Sequence, residues 1–198
     1  MSWMRQRICE GQLAVMLLTR LPAGRLGYDV PKLASAVWFF PSVGIPIGLL
    51  VGLSYIGMCY LGILPTLASI LAFSIGLIVT GAMHEDGLAD CADGFGGGQS
   101  KNQKLEIMRD SRIGSFGVLA LFFIVSARIV SLSNLPPNQE VLFAIIALAM
   151  ISRLVMVFYL TFLSPARDEG LGRDAGEPEV RALVISVITC IPIIFICG

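Results

Sequence analysis

The sequence is poor in charge. Of its 198 residues, 14 are Lys or Arg and 14 are Asp or Glu, so charged residues make up 14% and the formal net charge is zero. An ordinary soluble domain carries roughly 25% charged residues. Equal numbers of acidic and basic residues exclude a nucleic-acid binder that works through a basic surface. The low fraction of charged residues excludes a disordered chain. Hydrophobic residue types make up 56%, which also excludes a soluble globular enzyme and leaves an integral membrane protein.

The sequence also has little sign of paired cysteines, and its N-terminal residues do not form a convincing secretory signal. The five cysteines form no C-x-x-C pair, and Cys59, Cys190 and Cys197 lie in apolar runs. Cysteines in such runs act as small hydrophobic residues. The apolar run Leu13–Leu18 is too short for a convincing signal sequence and is followed by Arg20.

Long uncharged runs are what the sequence has instead. Residues 33–83 contain no Asp, Glu, Lys or Arg, which is enough for two crossings of about 20 residues each, with a turn at 62–65. The sequence predicts an all-α, polytopic membrane bundle that forms a single domain over residues 1–198. An N-terminal interfacial helix is expected at Ile8–Leu21. The predicted spans, about five in number, are Ser35–Tyr60, Thr66–Met83, Ile113–Leu132, Val141–Leu163 and Ala182 to the end.

The distribution of basic residues predicts the orientation. The stretch up to Lys32 holds five Lys or Arg, loop 84–112 holds four and loop 164–181 holds three, whereas 62–65 and 133–140 hold none. Basic residues on every second connection follow the positive-inside rule. The N-terminus and the loops 84–112 and 164–181 are therefore expected in the cytoplasm.

A double G-x-x-x-G pattern lies in the first predicted span. Gly44, Gly48 and Gly52 fall on one helix face and permit close approach of another helix. Packing within the chain is the simpler interpretation, and a homo-oligomer is left open.

Three aspartates follow the second predicted span. If the helix continues, Asp86, Asp90 and Asp93 fall within an arc of roughly 60°. Neighbouring carboxylates repel one another, and a bound hard cation, Mg²⁺ or Mn²⁺, explains their clustering. The alternative is a solvated acidic helix end.

The residues around this acidic face give weaker signals. His84, the single histidine, would point away from Asp86 unless the helix breaks at Gly87, so a structural role competes with a catalytic one. The glycines of residues 94–98, with Gly96 and Gly97 as candidates, predict a turn that approaches phosphate oxygens. A flexible linker is the competing interpretation.

Arginines supply candidate phosphate contacts. Arg109 and Arg112, with the carboxylate of Asp110 between them, precede the third predicted span and either bind phosphate or mark the membrane boundary. Arg128 is expected to reach the far interface. Arg153 is close to the middle of its span, where an arginine normally faces a partner such as a loop acid or an anionic substrate.

At this point the sequence resembles a known family, cobalamin synthase, or adenosylcobinamide-GDP ribazoletransferase. The similarity covers most of the chain. Its central part is His-Glu-Asp-Gly-Leu-Ala-Asp-Cys-Ala-Asp-Gly at 84–94, with Gly96 and Gly97. Further matches are residues 18–22, 104–108, 110–114, Arg153 and 170–172.

The resemblance implies a Mg²⁺-dependent enzyme of the bacterial cytoplasmic (inner) membrane. Its substrates would be adenosylcobinamide-GDP and α-ribazole or α-ribazole 5′-phosphate, and GMP would be released. No nucleic acid is implied. The lipid bilayer is an expected partner, and other enzymes of nucleotide-loop assembly are candidate partners. The residues that match divide into three sets. The metal ligands would be Asp86, Asp90 and Asp93; the catalytic residues Asp93, Asp90 and His84; and the substrate contacts Arg109, Asp110, Arg112, Arg153, Gly96 and Gly97.

Two departures and two rivals accompany this interpretation. Family members usually continue with more hydrophobic sequence, and a C-terminal truncation could remove packing, or even activity. Residues 165–169 also differ from the usual family form. A CDP-alcohol phosphotransferase-like enzyme would use similar aspartates, although its longer motif is absent here. A divalent-cation transporter would place acids within the spans, where this sequence has arginine.

Overall fold

The computed structural model describes residues 3–27, 30–167, 170, 173 and 175–197, except the side chains at 194, 196 and 197. Every regular element in these ranges is helical, which confirms the all-α fold. The elements are α1 Trp3–Leu18, α2 Leu33–Ala36, a 3-10 turn Val37–Phe39, α3 Phe40–Tyr60, α4 Pro65–Thr80, α5 Met83–Gly97, α6 Lys101–Ile107, α7 Ser115–Ser133, α8 Gln139–Phe162 and α9 Val180–Cys197.

The described helices include three that are long and apolar enough to cross a membrane: Leu33–Tyr60, Ser115–Ser133 and Gln139–Phe162. α4 and α5 count as a fourth only as one broken span, because their axes differ by 91°. The part of α9 up to Ile193 is apolar but shorter than a full crossing. A helical membrane protein is confirmed, with three or four such spans in these ranges where the sequence predicts about five.

The centre of the bundle is the contact between α3 and α8. A Cβ atom added at Gly44 would lie 2.6 Å from the backbone nitrogen of Met150, and one at Gly48 would lie 2.5 Å from the Cα atom of Ile146. Only glycine permits such a close approach of two helix backbones. Ascending positions on α3 meet descending positions on α8, so the helices run antiparallel. The prediction that the G-x-x-x-G face packs within the chain is confirmed.

The N-terminal helix is fastened to this bundle through a buried acid. Glu10 is fully buried, and its carboxylate accepts hydrogen bonds from Arg7 Nη1 at 2.8 Å and Trp38 Nε1 at 2.8 Å. These donors compensate for the burial of the charge. The helix runs from Trp3 to Leu18 and not over Ile8–Leu21, and its position at the membrane surface stays a prediction.

A sharp bend separates α4 from α5. Gly81 and Ala82 both have left-handed backbone conformations, with φ of 68° and 56°, and the N–H groups of both donate to the carbonyl of Leu77. Two successive left-handed residues end one helix and redirect the chain into the next. The predicted second span, Thr66–Met83, therefore ends too late, because the helix breaks at Gly81–Ala82 and does not continue into the acidic segment.

Arg20 packs against this bend. Its backbone N–H donates to the carbonyl of Val79 at 2.7 Å, and a Cβ atom at Gly81 would lie 2.5 Å from the Arg20 Nε atom. A cation at the C-terminal end of α4 is favourable because the last carbonyls of a helix carry partial negative charge. The contact connects the chain after α1 to the start of α5.

Candidate active site

A cavity of about 280 Å³ lies between α5 and the connection from α6 to α7. We call it the α5 pocket. It brings together two of the three predicted metal ligands and three of the predicted substrate contacts, Arg109, Asp110 and Arg112. Its lining consists of Asp86, Ala89, Asp90, Met108, Arg109, Asp110, Ser111, Arg112 and Ile113.

The acidic wall of the α5 pocket is one face of α5. Asp86 and Asp90 are one helical turn apart because residues 83–97 are helical, although they form a helix of their own and not a continuation of α4. Asp86 is exposed and Asp90 is half-buried. The negative charges of Asp86 and Asp93 and the positive charge of Arg167 all act on Asp90. Neighbouring carboxylates that open into one cavity form a surface that attracts a cation.

Asp93 lies behind this wall. Its side chain is buried, with Oδ2 accepting the N–H of Gly114 at 2.7 Å and Oδ1 accepting the N–H of Gly117 at 2.8 Å. The predicted set of three converging aspartates is therefore not formed. Among the residues that the structure describes, no group of three His, Cys, Asp or Glu side chains is arranged to hold a metal ion. Metal binding stays a prediction for which the α5 pocket supplies Asp86 and Asp90.

The opposite wall carries the cations. The Arg112 guanidinium donates to both carboxylate oxygens of Asp110, with the shortest contact, from Nη2 to Oδ2, at 2.7 Å. These bonds, with one from the Arg112 backbone N–H, hold the pKa of Asp110 below its ordinary value. Asp110 thus stays ionised as the partner of Arg112, and Arg109 lies beside this pair in the lining.

The predicted glycine-rich turn is wrong. α5 continues to Gly97, so the backbone of Gly96 and Gly97 is helical. A Cβ atom at Gly96 would overlap the ring of Phe116, and one at Gly97 would lie 3.3 Å from Ile107 Cδ1. These glycines therefore permit close packing of α5 against its neighbours. The N–H groups of a helix interior are already bonded, which removes the reason for assigning phosphate contacts to them.

A second group of charges lies near the start of α5. Arg128 Nη1 donates to Glu85 Oε1 at 2.8 Å, and the guanidinium lies 5.4 Å from the centre of the Phe73 ring. Arg128 therefore pairs with an acid on α5 and packs on an aromatic ring of α4, and its predicted reach to the far interface stays a prediction. The sequence offers no sign of this pair, whose members are 43 residues apart.

His84 and Arg153 belong to the same region. Arg153 is 7% exposed, its Nη1 donates to the carbonyl of Ala149 and to Ser152 Oγ, and its Nε atom has no partner. The charges of Glu85 and Arg128 act on it, and His84 lies in the field of all three residues. Neither His84 nor Arg153 lines the α5 pocket, and their catalytic and substrate-binding roles stay predictions.

The sequence prediction misses Arg167. Its Nη2 donates to the carbonyl of Leu105 at 3.0 Å, and its charge acts on Asp90. Arg167 therefore connects the chain after α8 to α6, close enough to Asp90 for its charge to act there. The only sequence signal is the departure of 165–169 from the usual family form. Within that loop, Asp168, Glu169, Leu171, Gly172 and Asp174 lie outside the described residues, so the match at 170–172 stays a prediction.

Comparison with known proteins gives one consistent result. The family model described as cobalamin-5-phosphate synthase matches residues 11–198. A protein of Mesorhizobium japonicum is 38% identical over 193 residues, or 97% of this chain and 74% of its own length. One of Azorhizobium caulinodans is 43% identical over 173 residues, or 85% and 65% respectively. Both are named adenosylcobinamide-GDP ribazoletransferase. No solved structure matches the chain.

Proposed function

Because the chain belongs to the cobalamin-5-phosphate synthase family, we propose that it is an adenosylcobinamide-GDP ribazoletransferase, the name its relatives carry. It would transfer the cobinamide phosphate group of adenosylcobinamide-GDP to α-ribazole or α-ribazole 5′-phosphate. A ribazole hydroxyl would attack the phosphorus on the cobinamide side of the diphosphate. The bond from that phosphorus to the bridging oxygen breaks, GMP leaves, and the hydroxyl proton passes to a base.

The observation that carries this proposal is that carboxylates and arginines line one cavity. Asp86 and Asp90 of α5 line the α5 pocket together with Arg109 and Arg112. Such a cavity suits a diphosphate that carries a divalent cation. The arginines bind phosphate oxygens, and the carboxylates bind the cation. Arg109 and Arg112 would contact the phosphates. Either Asp86 or Asp90 could accept the hydroxyl proton.

The residues present fit a Mg²⁺ ion. Mg²⁺ is usually held by one or two carboxylates together with substrate phosphates, and not by a complete cage of protein ligands. Asp86 and Asp90 supply two carboxylates on one face of α5, next to the arginine wall. When bound, the ion would neutralise the charge of the diphosphate and of the departing GMP.

We further propose that the α5 pocket opens to the cytoplasm of a bacterium, in its cytoplasmic membrane. The support is the distribution of Lys and Arg, since the loops 84–112 and 164–181 hold basic residues and the alternate connections hold none. An association with other enzymes of nucleotide-loop assembly, or with a second copy, stays a prediction.

An assay of the purified chain in lipid nanodiscs tests the reaction. Adenosylcobinamide-GDP and α-ribazole are supplied with Mg²⁺, GMP is quantified, and the reaction is repeated with EDTA and with α-ribazole 5′-phosphate. We expect GMP release that EDTA abolishes. CMP release from a CDP-linked lipid precursor and an alcohol, with no GMP, would assign the chain to the rival phosphotransferase chemistry. No product from protein with a cooperative unfolding transition would contradict both activities.

The variant Asp90→Asn tests the acidic wall. Loss of one electrostatic group at a reacting centre lowers kcat by about 10²–10³-fold, and we expect a loss of that order with an unchanged unfolding temperature. The matched control is Glu106→Gln, which removes an exposed acid from α6 outside the α5 pocket. Equal activity of the two variants would remove Asp90 from the mechanism.

A further inference from the structure

Asp93 occupies the N-terminus of α7. Gly114 is the residue that precedes the helix, and it has no side chain with which to accept the free N–H groups of the first turn. Asp93 reaches across from α5 and accepts the N–H of Gly114 at 2.7 Å and of Gly117 at 2.8 Å. A carboxylate at this place satisfies donors that have no partner within the helix, and its charge suits the positive end of the helix dipole.

The two glycines are matched to the carboxylate. A Cβ atom at Gly114 would overlap Asp93 Oδ1, and a Cβ atom at Gly117 would overlap Asp93 Oδ2. Neither glycine has a positive φ, so the backbone conformation does not require glycine at these positions. The space needed by the Asp93 carboxylate is what requires it.

The contact joins the two walls of the α5 pocket. Asp93 follows Asp90 by three residues on α5, which carries the acidic wall. Gly114 directly follows the segment 108–113, which carries the wall with Arg109 and Arg112. The bond between Asp93 and Gly114 therefore fixes how far the arginine wall stands from Asp90.

The position of Asp93 argues against a direct role in the cavity. Asp86 and Asp90 line the α5 pocket, whereas Asp93 is 8% exposed and does not line it. Both of its oxygens already accept N–H groups.

We propose that Asp93 is a positioning residue that anchors the start of α7, and with it the arginine wall, to α5, and that it neither binds the cation nor takes the substrate proton. The proposal rests on the function proposed for the α5 pocket. It separates the three aspartates of the motif into two that face the reaction and one that sets the distance between the walls.

The test compares Asp93→Asn, Gly117→Ala and their double variant with Asp90→Asn. Gly117→Ala removes no carboxylate from the protein, but its added methyl group displaces the Asp93 carboxylate. For wild type and each variant, binding of Mn²⁺ alone is measured by electron paramagnetic resonance, thermal unfolding is followed, and kcat and KM for adenosylcobinamide-GDP are determined separately.

We expect Asp93→Asn and Gly117→Ala to bind Mn²⁺ as wild type does, and to raise KM by about tenfold through loss of a hydrogen bond to a charged group. The double variant should be no worse than either single variant, because both break the same contact. Asp90→Asn should lose Mn²⁺ binding.

Loss of Mn²⁺ binding in Asp93→Asn, with normal binding in Gly117→Ala, would overturn the proposal in favour of a metal ligand. A fall in kcat alone in Asp93→Asn, with wild-type kinetics in Gly117→Ala, would overturn it in favour of a base. If Asp93→Asn does not fold, Gly117→Ala decides through its KM. If wild type releases no GMP, the proposed function fails. The role of Asp93 is then still decided by Mn²⁺ binding and by whether the double variant unfolds at the same temperature as the single variants.

Discussion

Two helix contacts in this protein depend on glycine, and they use it for different purposes. Between α3 and α8, Gly44 and Gly48 admit the backbone of the partner helix. Between α5 and α7, Gly114 and Gly117 admit the carboxylate of Asp93. Removing a side chain thus creates space for a neighbouring backbone in one place and for a charged group in the other. A glycine pattern therefore indicates close approach, but not what approaches.

The two contacts also differ in what holds them. The α3–α8 contact depends on close packing at Gly44, Gly48 and Gly52 of α3. The α5–α7 contact is fastened near both ends by charge, at Glu85–Arg128 and at Asp93 with Gly114 and Gly117. Packed backbones tolerate little change in volume, whereas a contact held by charges is sensitive to the loss of a single partner.

The largest effect should come from Gly48→Leu. The added side chain would meet the backbone of α8 at Ile146, which cannot turn aside. Overpacking typically destabilises by about 1–3 kcal/mol, occasionally more, and we expect the upper end of that range, measured as the unfolding temperature in nanodiscs. The control is Gly57→Leu on the same helix, since a Cβ atom at Gly57 has nothing within 4 Å. Equal unfolding temperatures of Gly48→Leu and Gly57→Leu would show that the α3–α8 contact has room for a side chain at Gly48.

An intermediate effect should come from Glu85→Gln. The change removes the acid that pairs with Arg128, and a hydrogen bond between charged groups contributes about 1.5–3 kcal/mol. Thermal unfolding should shift downward, with Glu140→Gln at the exposed start of α8 as the control. Adding Arg128→Gln should recover part of the loss, because no arginine then remains unpaired. If the double variant is less stable than Glu85→Gln, the pair is not what fastens α5 to α7.

The smallest effect should come from Gly96→Ala. Here the new Cβ atom meets the ring of Phe116, which is 53% exposed and can rotate away. The gain in helix propensity from Gly to Ala, about 1 kcal/mol, should offset a rotamer change of about 0.5–1.5 kcal/mol. We expect an unfolding temperature close to that of wild type, while Gly48→Ala should lower it clearly. A large loss in Gly96→Ala would mean that the α5–α7 contact is as unyielding as α3–α8.

Part of the candidate site follows from the sequence. Helical spacing places Asp86 and Asp90 on one face, and both line the α5 pocket with Arg109, Asp110 and Arg112. The sequence does not show that Asp93 turns to the start of α7, although it lies on the same helix. A helical pattern gives the direction of a side chain from its own helix, but not which neighbouring group it meets.

Two features that the sequence did not indicate share a related cause. Glycines in residues 94–98 favour a turn locally, but packing against Phe116 and Ile107 keeps Gly96 and Gly97 in α5. Arg128 lacks a nearby acid along the chain, yet Glu85 on another helix meets it. In both cases, contact with a distant segment outweighs local preference.

The sequence by itself determined the helical membrane fold, the family, and the acids and arginines available for chemistry, because these depend on composition and on spacing within single segments. The tertiary structure alone decided the bend at Gly81–Ala82, the pairing of Glu85 with Arg128, and the attachment of Asp93 to Gly114 and Gly117. The groups in these two contacts lie 21 to 43 residues apart. Their meeting depends on how whole helices pack, and no local pattern in the chain specifies it.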